Sequence, residues 1–313
     1  MVSDTTIASP PRAPQAAGSI RQPAAPRRGA AAADRPNRVW MLVVTVAMIV
    51  AALYFLIPVV WLLIASTKST GDLFSTPGFS FAGFHLWDNL VKLSTYDGGV
   101  FWRWCLNSVV YSVIGSALTT FVCAATGYAL AVYRFRGRRV LIGAVLASML
   151  VPGTVIAQPT YVLLVSLGLN NTYAGLLLPA LVYPFGVLLC YIYAQSSVPL
   201  ELVEAARLDG AGEFRIFLSM GLRLMMTGLV TVLLFAFLGS WNSYLLPLLV
   251  LTDQNLMPLT VGLTGWNQAS ITIPGLQILT VVGSLVSVVP IAAVFLSLQR
   301  FWKSGLTAGG LRF

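Results

Sequence analysis

The chain has 313 residues, 57% of them hydrophobic and only 9% charged, with 19 Lys+Arg against 10 Asp+Glu. A soluble domain of that length carries roughly a quarter of its residues as charge, which excludes an ordinary aqueous enzyme and indicates a protein dissolved in lipid. Its 27 Gly and 17 Pro are too few and too scattered for a fibrous or low-complexity chain, and Cys105, Cys123 and Cys190 sit in or beside apolar runs as buried thiols, not as a disulfide framework.

Residues 1–38 are rich in Ala and Pro and carry Arg12, Arg21, Arg27, Arg28, Arg35 and Arg38 with no sustained apolar period. They bury too little surface to offset ordering entropy, so a disordered basic cytoplasmic tail is expected. The apolar run that follows exceeds the 7–15-residue core of a signal peptide, and 39–313 reads as one membrane domain. Charge-free stretches run from Arg38 to Lys68, Arg103 to Arg134, Arg139 to Glu201, Arg223 to Asp253 and Asp253 to Arg300. A crossing helix needs about 20 apolar residues, and a charge at its centre costs roughly 2.5–3.5 kcal/mol. The third stretch holds two crossings, divided near Gly168–Thr172. The last holds one, because its first half contains Pro258, Gly262, Gly265, Asn267, Pro274 and Gly275. The fold class is therefore an all-α membrane protein with six transmembrane helices, at about 39–65, 105–132, 140–166, 172–196, 225–251 and 276–300. Barrel strands would show short period-two segments instead.

Two connecting segments face outward in this arrangement. The first, 66–104, ends in Phe101, Trp102 and Trp104, read as an interfacial aromatic belt in preference to a ligand platform. His85 lies in it as an exposed loop residue, since one histidine cannot assemble a metal site. The second is 252–275. With the N-terminus inside, all the basic residues except Lys68, Lys92 and Arg103 fall on the cytoplasmic side, among them Arg134, Arg136, Arg138 and Arg139. That bias places both termini of this multi-pass protein in the cytoplasm. It also accounts for the net charge of +9 through the anionic inner leaflet, without nucleic acid.

The cytoplasmic stretch between the fourth and fifth crossings, about 198–223, is the most informative. It reads as two short helices: Ser197 as N-cap and Pro199 in the first turn, Gly210 after the last helical residue, Asp209 capping the second helix and Glu213 in its first turn. Leu202, Ala205, Ala206 and Asp209 stand at i, i+3, i+4 and i+7 and so share a face, shallow enough for another protein's groove, with Glu204 beside it. A solvated connector lying on headgroups would not need an Ala-Ala pair, nor acidic residues beside anionic lipid.

Catalytic machinery is missing. No span carries an ionisable group of the kind that serves membrane enzymes and proton relays. None of the three lysines, Lys68, Lys92 and Lys303, follows a glycine as a phosphate-binding loop requires. The chain is therefore read as no enzyme, and energy for transport must come from a partner or from the solute's own gradient.

Glu204-Ala205-Ala206, three residues and then Gly210 resembles the EAA loop of ATP-binding-cassette importer permeases. The wider run to Ala211, with Phe214-Arg215-Ile216-Phe217, is similar to the carbohydrate-uptake subfamily, in particular its maltose G-subunit-like members. Asn107-Ser108, Gly239-Ser240-Trp241-Asn242-Ser243-Tyr244 with Pro247-Leu248, and Gly305-Leu306-Thr307-Ala308-Gly309 agree. The resemblance covers 39–313 and implies the type I importer permease fold. One departure is Met220-Gly221-Leu222-Arg223, where the family ends the loop in Ile-X-Leu-Pro. Losing that proline removes an expected helix break.

The resemblance implies a permease subunit of an ATP-driven, binding-protein-dependent sugar importer, coupled through Glu204, Ala205, Ala206, Asp209 and Gly210 to a separate ATPase dimer. That ATPase holds ATP and Mg, and this chain carries no cofactor and no metal. A second, related permease and an extracytoplasmic sugar-binding protein complete the assembly. Gln158, Trp241, Asn242, Ser243, Tyr244 and Gln277 fit either a path for a hydroxylated solute, with Trp241 or Tyr244 stacking on a sugar face, or interhelical hydrogen bonds. Two other readings compete. A self-contained secondary transporter needs an ion site and internal repeats, and a membrane anchor leaves the EAA-like loop without a purpose.

Overall fold

The computed structural model describes residues 38–309, with side chains described through Ser297. The expected tail at 1–38 lies, but for Arg38, outside the described residues. All the regular elements there are helical: α1 Arg38–Ser66, α2 Asp72–Ser75, α3 Leu86–Thr95, α4 Val100–Val132, α5 Arg138–Ser148, α6 Gly153–Ser166, α7 Tyr173–Ala180 and α8 Pro184–Ser197. Then come α9 Leu200–Leu208, α10 Glu213–Ile216, α11 Leu222–Leu224, α12 Met226–Trp241, α13 Leu245–Val250, α14 Leu259–Ala269 and α15 Leu276–Gly309. The chain divides after Tyr54 into two units. The first holds, among the described residues, the opening of α1, and the second, from Phe55, holds the rest.

Three stretches are each long and apolar enough to cross a membrane: Arg38–Ser66, Leu86–Val132 and Leu276–Ser297. Three bent pairs pass the same test together, giving up to six crossings among the described residues. Two of the expected crossings are bent helix pairs. The helix predicted at 140–166 is α5 and α6, bent by 105° at Met149–Pro152, and the one at 172–196 is α7 and α8, bent by 42°. Both breaks have a proline at the restart, Pro152 before α6 and Pro184 opening α8, where its fixed φ suits a first turn and its missing N–H costs nothing. Pro58, Pro159 and Pro290 lie inside continuous helices. The predicted fifth helix also divides, into α12 and α13, at 242–244.

The central element is α4, which packs against α8, α12, α7 and α14. Its contact with α8 is close because Gly127 has no side chain: a Cβ there would lie 2.5 Å from Cys190 Cβ and 2.6 Å from the Tyr191 nitrogen. Apolar cores form toward both ends of α4, here termed upper (its N-terminus) and lower (its C-terminus). The upper core joins Phe101, Trp104, Trp241, Leu259, Trp266 and Leu276. The lower one joins Tyr128, Cys190, Val203, Ile216, Phe217 and Met225.

Several readings of the connecting segments change. Phe101 (0% exposed) and Trp104 (2%) form no belt; the Trp104 and Trp266 rings lie 4.8 Å apart and Phe101 stacks on Trp266, which leaves only Trp102 exposed. The segment 252–275 contains a helix, α14, because Leu259, Leu263 and Trp266 recur on one face and are buried. Lys68, expected in a loop, is 1% exposed and donates through Nζ to Thr76 Oγ1 and the Pro77 carbonyl, each at 2.8 Å. Asn89 donates to the Ser66 and Lys68 carbonyls at 3.0 and 2.9 Å. Together these bonds staple 67–95 to the end of α1. His85 is half-exposed, 3.6 Å from Asp88. All three cysteines are free, and Cys123 and Cys190 are buried.

Candidate functional site

The loop predicted to couple to an ATPase folds as α9, a turn, and α10 running through a five-residue π-helical turn, Phe217–Gly221, into α11. Its caps differ from expectation. Ser197 ends α8, and Pro199, with φ −65° and ψ 128°, precedes α9 with no side-chain cap. Asp209 closes α9 and caps nothing on α10, whose N-cap is Gly212. The α9 C-terminus is a Schellman motif: the Ala211 N–H donates to the Ala206 carbonyl and the Gly210 N–H to that of Arg207, both at 3.0 Å. Gly210 takes φ 79°, which a side chain would strain, and so Gly210 sits where the sequence places it.

Only part of the predicted face is free. Leu202, Ala205 and Asp209 are exposed with Glu204, whereas Ala206 is half-buried and packs on the lower core beside fully buried Val203. The alanine pair is therefore split, Ala206 seating the helix and Ala205 facing out. Val203 and Ala206, three residues apart, define the inward stripe. Leu208 is 90% exposed at the tip of α9, an apolar residue in water that its sequence context did not single out.

A polar clamp fixes α9 from its other side. Arg207 donates from Nε to Glu213 Oε1 at 2.6 Å and from Nη2 to Oε2 at 3.2 Å, and its guanidinium lies 5.8 Å over the Tyr133 ring. Tyr133, just past α4, donates its hydroxyl to Glu213 Oε2 at 2.7 Å. The Arg207 hydrogen bond, then that from Tyr133, holds the Glu213 carboxyl below its ordinary range. The clamp ties α9, α10 and α4 together at an exposed position. Below it the loop enters α12 through an 83° bend at Met225. The break thus persists without the expected proline: the π turn shifts the register, Gly221 lies against Tyr128, and Met225 is 1% exposed. Arg223 is exposed in α11.

The residues suggested for a path fall into two groups. Asn242, Ser243 and Tyr244 form the break between α12 and α13. Asn242 Nδ2 donates to the Leu238 carbonyl at 2.8 Å, and the Ser243 carbonyl accepts from Thr260 Oγ1 at 2.6 Å. Gln158 is exposed on α6, which packs on α13, and Gln277 is half-buried on α15, which packs on α12. Trp241 is corrected: it is 4% exposed and stacks on Phe237 with ring centroids 5.8 Å apart, so its ring belongs to the upper core and is not available to a sugar face.

A third feature was visible only as a dipeptide. One face of α4 latches the segment 254–259 by its backbone. Trp104 Nε1 donates to the Gln254 carbonyl at 2.9 Å, and Asn107 Nδ2 donates to those of Asn255 and Met257 at 2.7 and 3.0 Å. Tyr111 donates to the Leu256 carbonyl at 2.9 Å, and Ser108 Oγ accepts from the Leu259 N–H at 2.7 Å. Asn107 Oδ1 accepts from the Tyr173 hydroxyl at 2.7 Å. The spacing 104, 107, 108 and 111 is the helical signal that marks this face.

Comparison with known proteins agrees with this architecture. Residues 124–305, more than half of the chain, match the family described as binding-protein-dependent transport system inner membrane component. The arabinooligosaccharides transport system permease protein of Bacillus subtilis is 32% identical over 88% of this chain and 96% of that protein. The diacetylchitobiose uptake system permease protein of Streptomyces coelicolor is 32% identical over 91% and 92%. The crystal structure of a bacterial ABC transporter that imports the acidic polysaccharide alginate shares the fold, with a TM-score of 0.73, 23% identity, and coverage of 85% of this chain and 97% of that one. These matches set aside the self-contained secondary transporter. The chain belongs to the family of binding-protein-dependent inner-membrane permeases, a non-enzymatic, membrane-spanning component of an ABC importer whose ATPase and substrate-binding protein are separate partners.

Proposed function

We propose that this permease imports a carbohydrate and that α9 is the joint through which a cytoplasmic ATPase drives it. The supporting observation is the construction of α9. Val203 and Ala206 seat it on the lower core, the Arg207–Glu213–Tyr133 clamp ties it to α4, and Glu204, Ala205, Leu208 and Asp209 project together. A short helix held that firmly by its own chain, with an apolar tip left in water, has the form of a knob for another protein's cleft. Gly210 ends it without a projecting side chain.

In this reading the lower end and both termini are cytoplasmic, as the arginine distribution favours. ATP and Mg reside on the ATPase, and this chain carries no cofactor. A second, related permease supplies the other half of the path, and Gln158, Asn242, Ser243, Tyr244 and Gln277 line this half. The carbohydrate class is supported by the relatives, whose names specify arabinooligosaccharide and diacetylchitobiose transport.

The test is a Leu208→Cys crosslink to the ATPase in intact membranes, with Glu204→Lys assayed for uptake of a labelled oligosaccharide. The expected result is a crosslink to the ATPase. Uptake by Glu204→Lys should fall at least about tenfold while the complex still inserts and co-purifies. Full uptake by that variant, or no captured ATPase, refutes the coupling role.

A further inference from the structure

A second basic feature lies beside the joint and takes no part in it. Between the end of α4 and the start of α5 is a cavity of about 490 Å³ whose lining includes Arg134, Arg138, Arg139, Val140, Ile142 and Tyr191. That volume is in the range of small-molecule sites. Arg134, Arg138 and Arg139 line it, and no carboxylate does. Among the described residues the ion pairs are His85–Asp88 and Arg207–Glu213, and none of these arginines is paired with a carboxylate there.

Arg138 is preset. Its guanidinium lies 5.7 Å over the Tyr191 ring and Nη2 reaches the Tyr191 hydroxyl at 3.4 Å. That hydroxyl also accepts from Gln195 Nε2 at 2.8 Å, which holds the ring in place. Arg138 Nε is fully buried yet has no hydrogen-bond partner, and a buried donor left unmade costs roughly 1–3 kcal/mol. The N-terminus of α5, preceded by Gly137 with φ 91° and no side-chain cap, adds positive potential to the same space.

We infer that this cavity binds the phosphate of an anionic phospholipid headgroup from the inner leaflet. An orphaned guanidinium donor, two further arginines and a helix N-terminus together fit phosphate oxygens. The source is argued from the surroundings. The cavity opens onto α5, all of whose side chains are at least partly exposed, with Val140 and Leu141 73% and 51% exposed, so an acyl chain has apolar surface to follow once the headgroup is seated. A soluble phosphate would not use that surface. The assignment rests on the orientation proposed above, which sets the cavity at the anionic leaflet.

The experiment is native mass spectrometry of the detergent-purified full chain, titrated with phosphatidylglycerol or with phosphatidylcholine of the same acyl chains. The wild type should retain phosphatidylglycerol selectively. Affinity should drop roughly tenfold or more in the triple variant Arg134→Gln/Arg138→Gln/Arg139→Gln. A control lacking other cytoplasmic charges, Arg215→Gln/Arg223→Gln, should stay within about twofold.

Equal retention of the two lipids, or an equal loss in the control, overturns the site. Displacement of the lipid by millimolar inorganic phosphate overturns the lipid source in favour of a free anion. Capture of an acidic protein segment, not lipid, by a photo-crosslinker at Val140 in native membranes likewise overturns it. If the triple variant is not monodisperse, the exposed single substitution Arg139→Gln carries the same comparison, with a smaller expected drop. The Leu208→Cys crosslink reads ATPase docking independently, so failure here is distinguishable from failure of the coupling role.

Discussion

The two ends of α4 are held by opposite kinds of chemistry. At the upper end Trp104, Asn107, Ser108 and Tyr111 are buried and bond neutral backbone groups of 254–259. Buried neutral bonds are little affected by salt or by pH near neutrality, and breaking one strands a polar group away from water. At the lower end Tyr133, Arg207 and Glu213 form an ionic clamp exposed to solvent. Water screens it, and either partner is readily rehydrated when the clamp opens. One end of the helix is built to stay in place. The other adds to the buried seat of α9 a polar tie that water and salt weaken.

The comparison assumes that α4 connects both ends through a continuous packed contact with α8, and the strongest perturbation attacks that contact. Gly127→Val places a side chain where even a Cβ lies 2.5 Å from Cys190 Cβ. The expected outcome is loss of folded protein, because neither backbone can give way without separating α4 from α8. Size-exclusion profiles of the solubilised variant measure it, and a monodisperse protein of wild-type stability would break the assumption.

Next in size is the upper latch. Asn107→Leu leaves the Asn255 and Met257 carbonyls and the Tyr173 hydroxyl without this partner, at a cost of about 2–4 kcal/mol. Thermal unfolding should shift down by several degrees, and hydrogen exchange across 252–258 should rise. An unchanged midpoint would show that the latch contributes no more than the clamp.

The smallest effect belongs to the clamp. Glu213→Gln should leave the unfolding midpoint unchanged while a spin label at Leu208→Cys becomes more mobile. The pH dependence has a definite sign. The Glu213 carboxyl is depressed below its ordinary value, so its contribution is present above that value and is lost as the pH falls through the depressed one. Label mobility should therefore rise on acidification below about pH 4, and Glu213→Gln should flatten that response. A response of the same size in the variant would assign it to other carboxylates.

Much of this architecture was legible because charge in hydrocarbon is so costly. The gaps between charges located the apolar stretches and assigned the polar segments to the ends. Gaps measure length and not direction, so they gave no measure of the 105° bend at Met149–Pro152, although Pro152 is a residue that can break a helix there. Judging 252–275 against the bilayer also concealed α14, although Leu259, Leu263 and Trp266 already showed the helical period. The loop proposed for coupling stands out by its residue types and spacing, and Gly210 behaves as its position suggests. What did not follow was which side of α9 faces its own chain. That depends on Ile216 and Phe217 arriving from the next helix, so Ala206 went unrecognised as an internal contact and Leu208 as the exposed tip. The latch partners of Asn107 lie about 150 positions away, beyond any local pattern.

The length of α4 has a mechanical consequence. Its 33 residues contain no proline, and at 1.5 Å per residue it spans about 50 Å. If such a rod pivots where its top is pinned, a tilt of about 5° sweeps its far tip through about 4 Å, short of one helical turn of about 5.4 Å. A displacement of the water-facing knob would be met by a small rotation about the pinned end, with no bond inside the shaft needing to break.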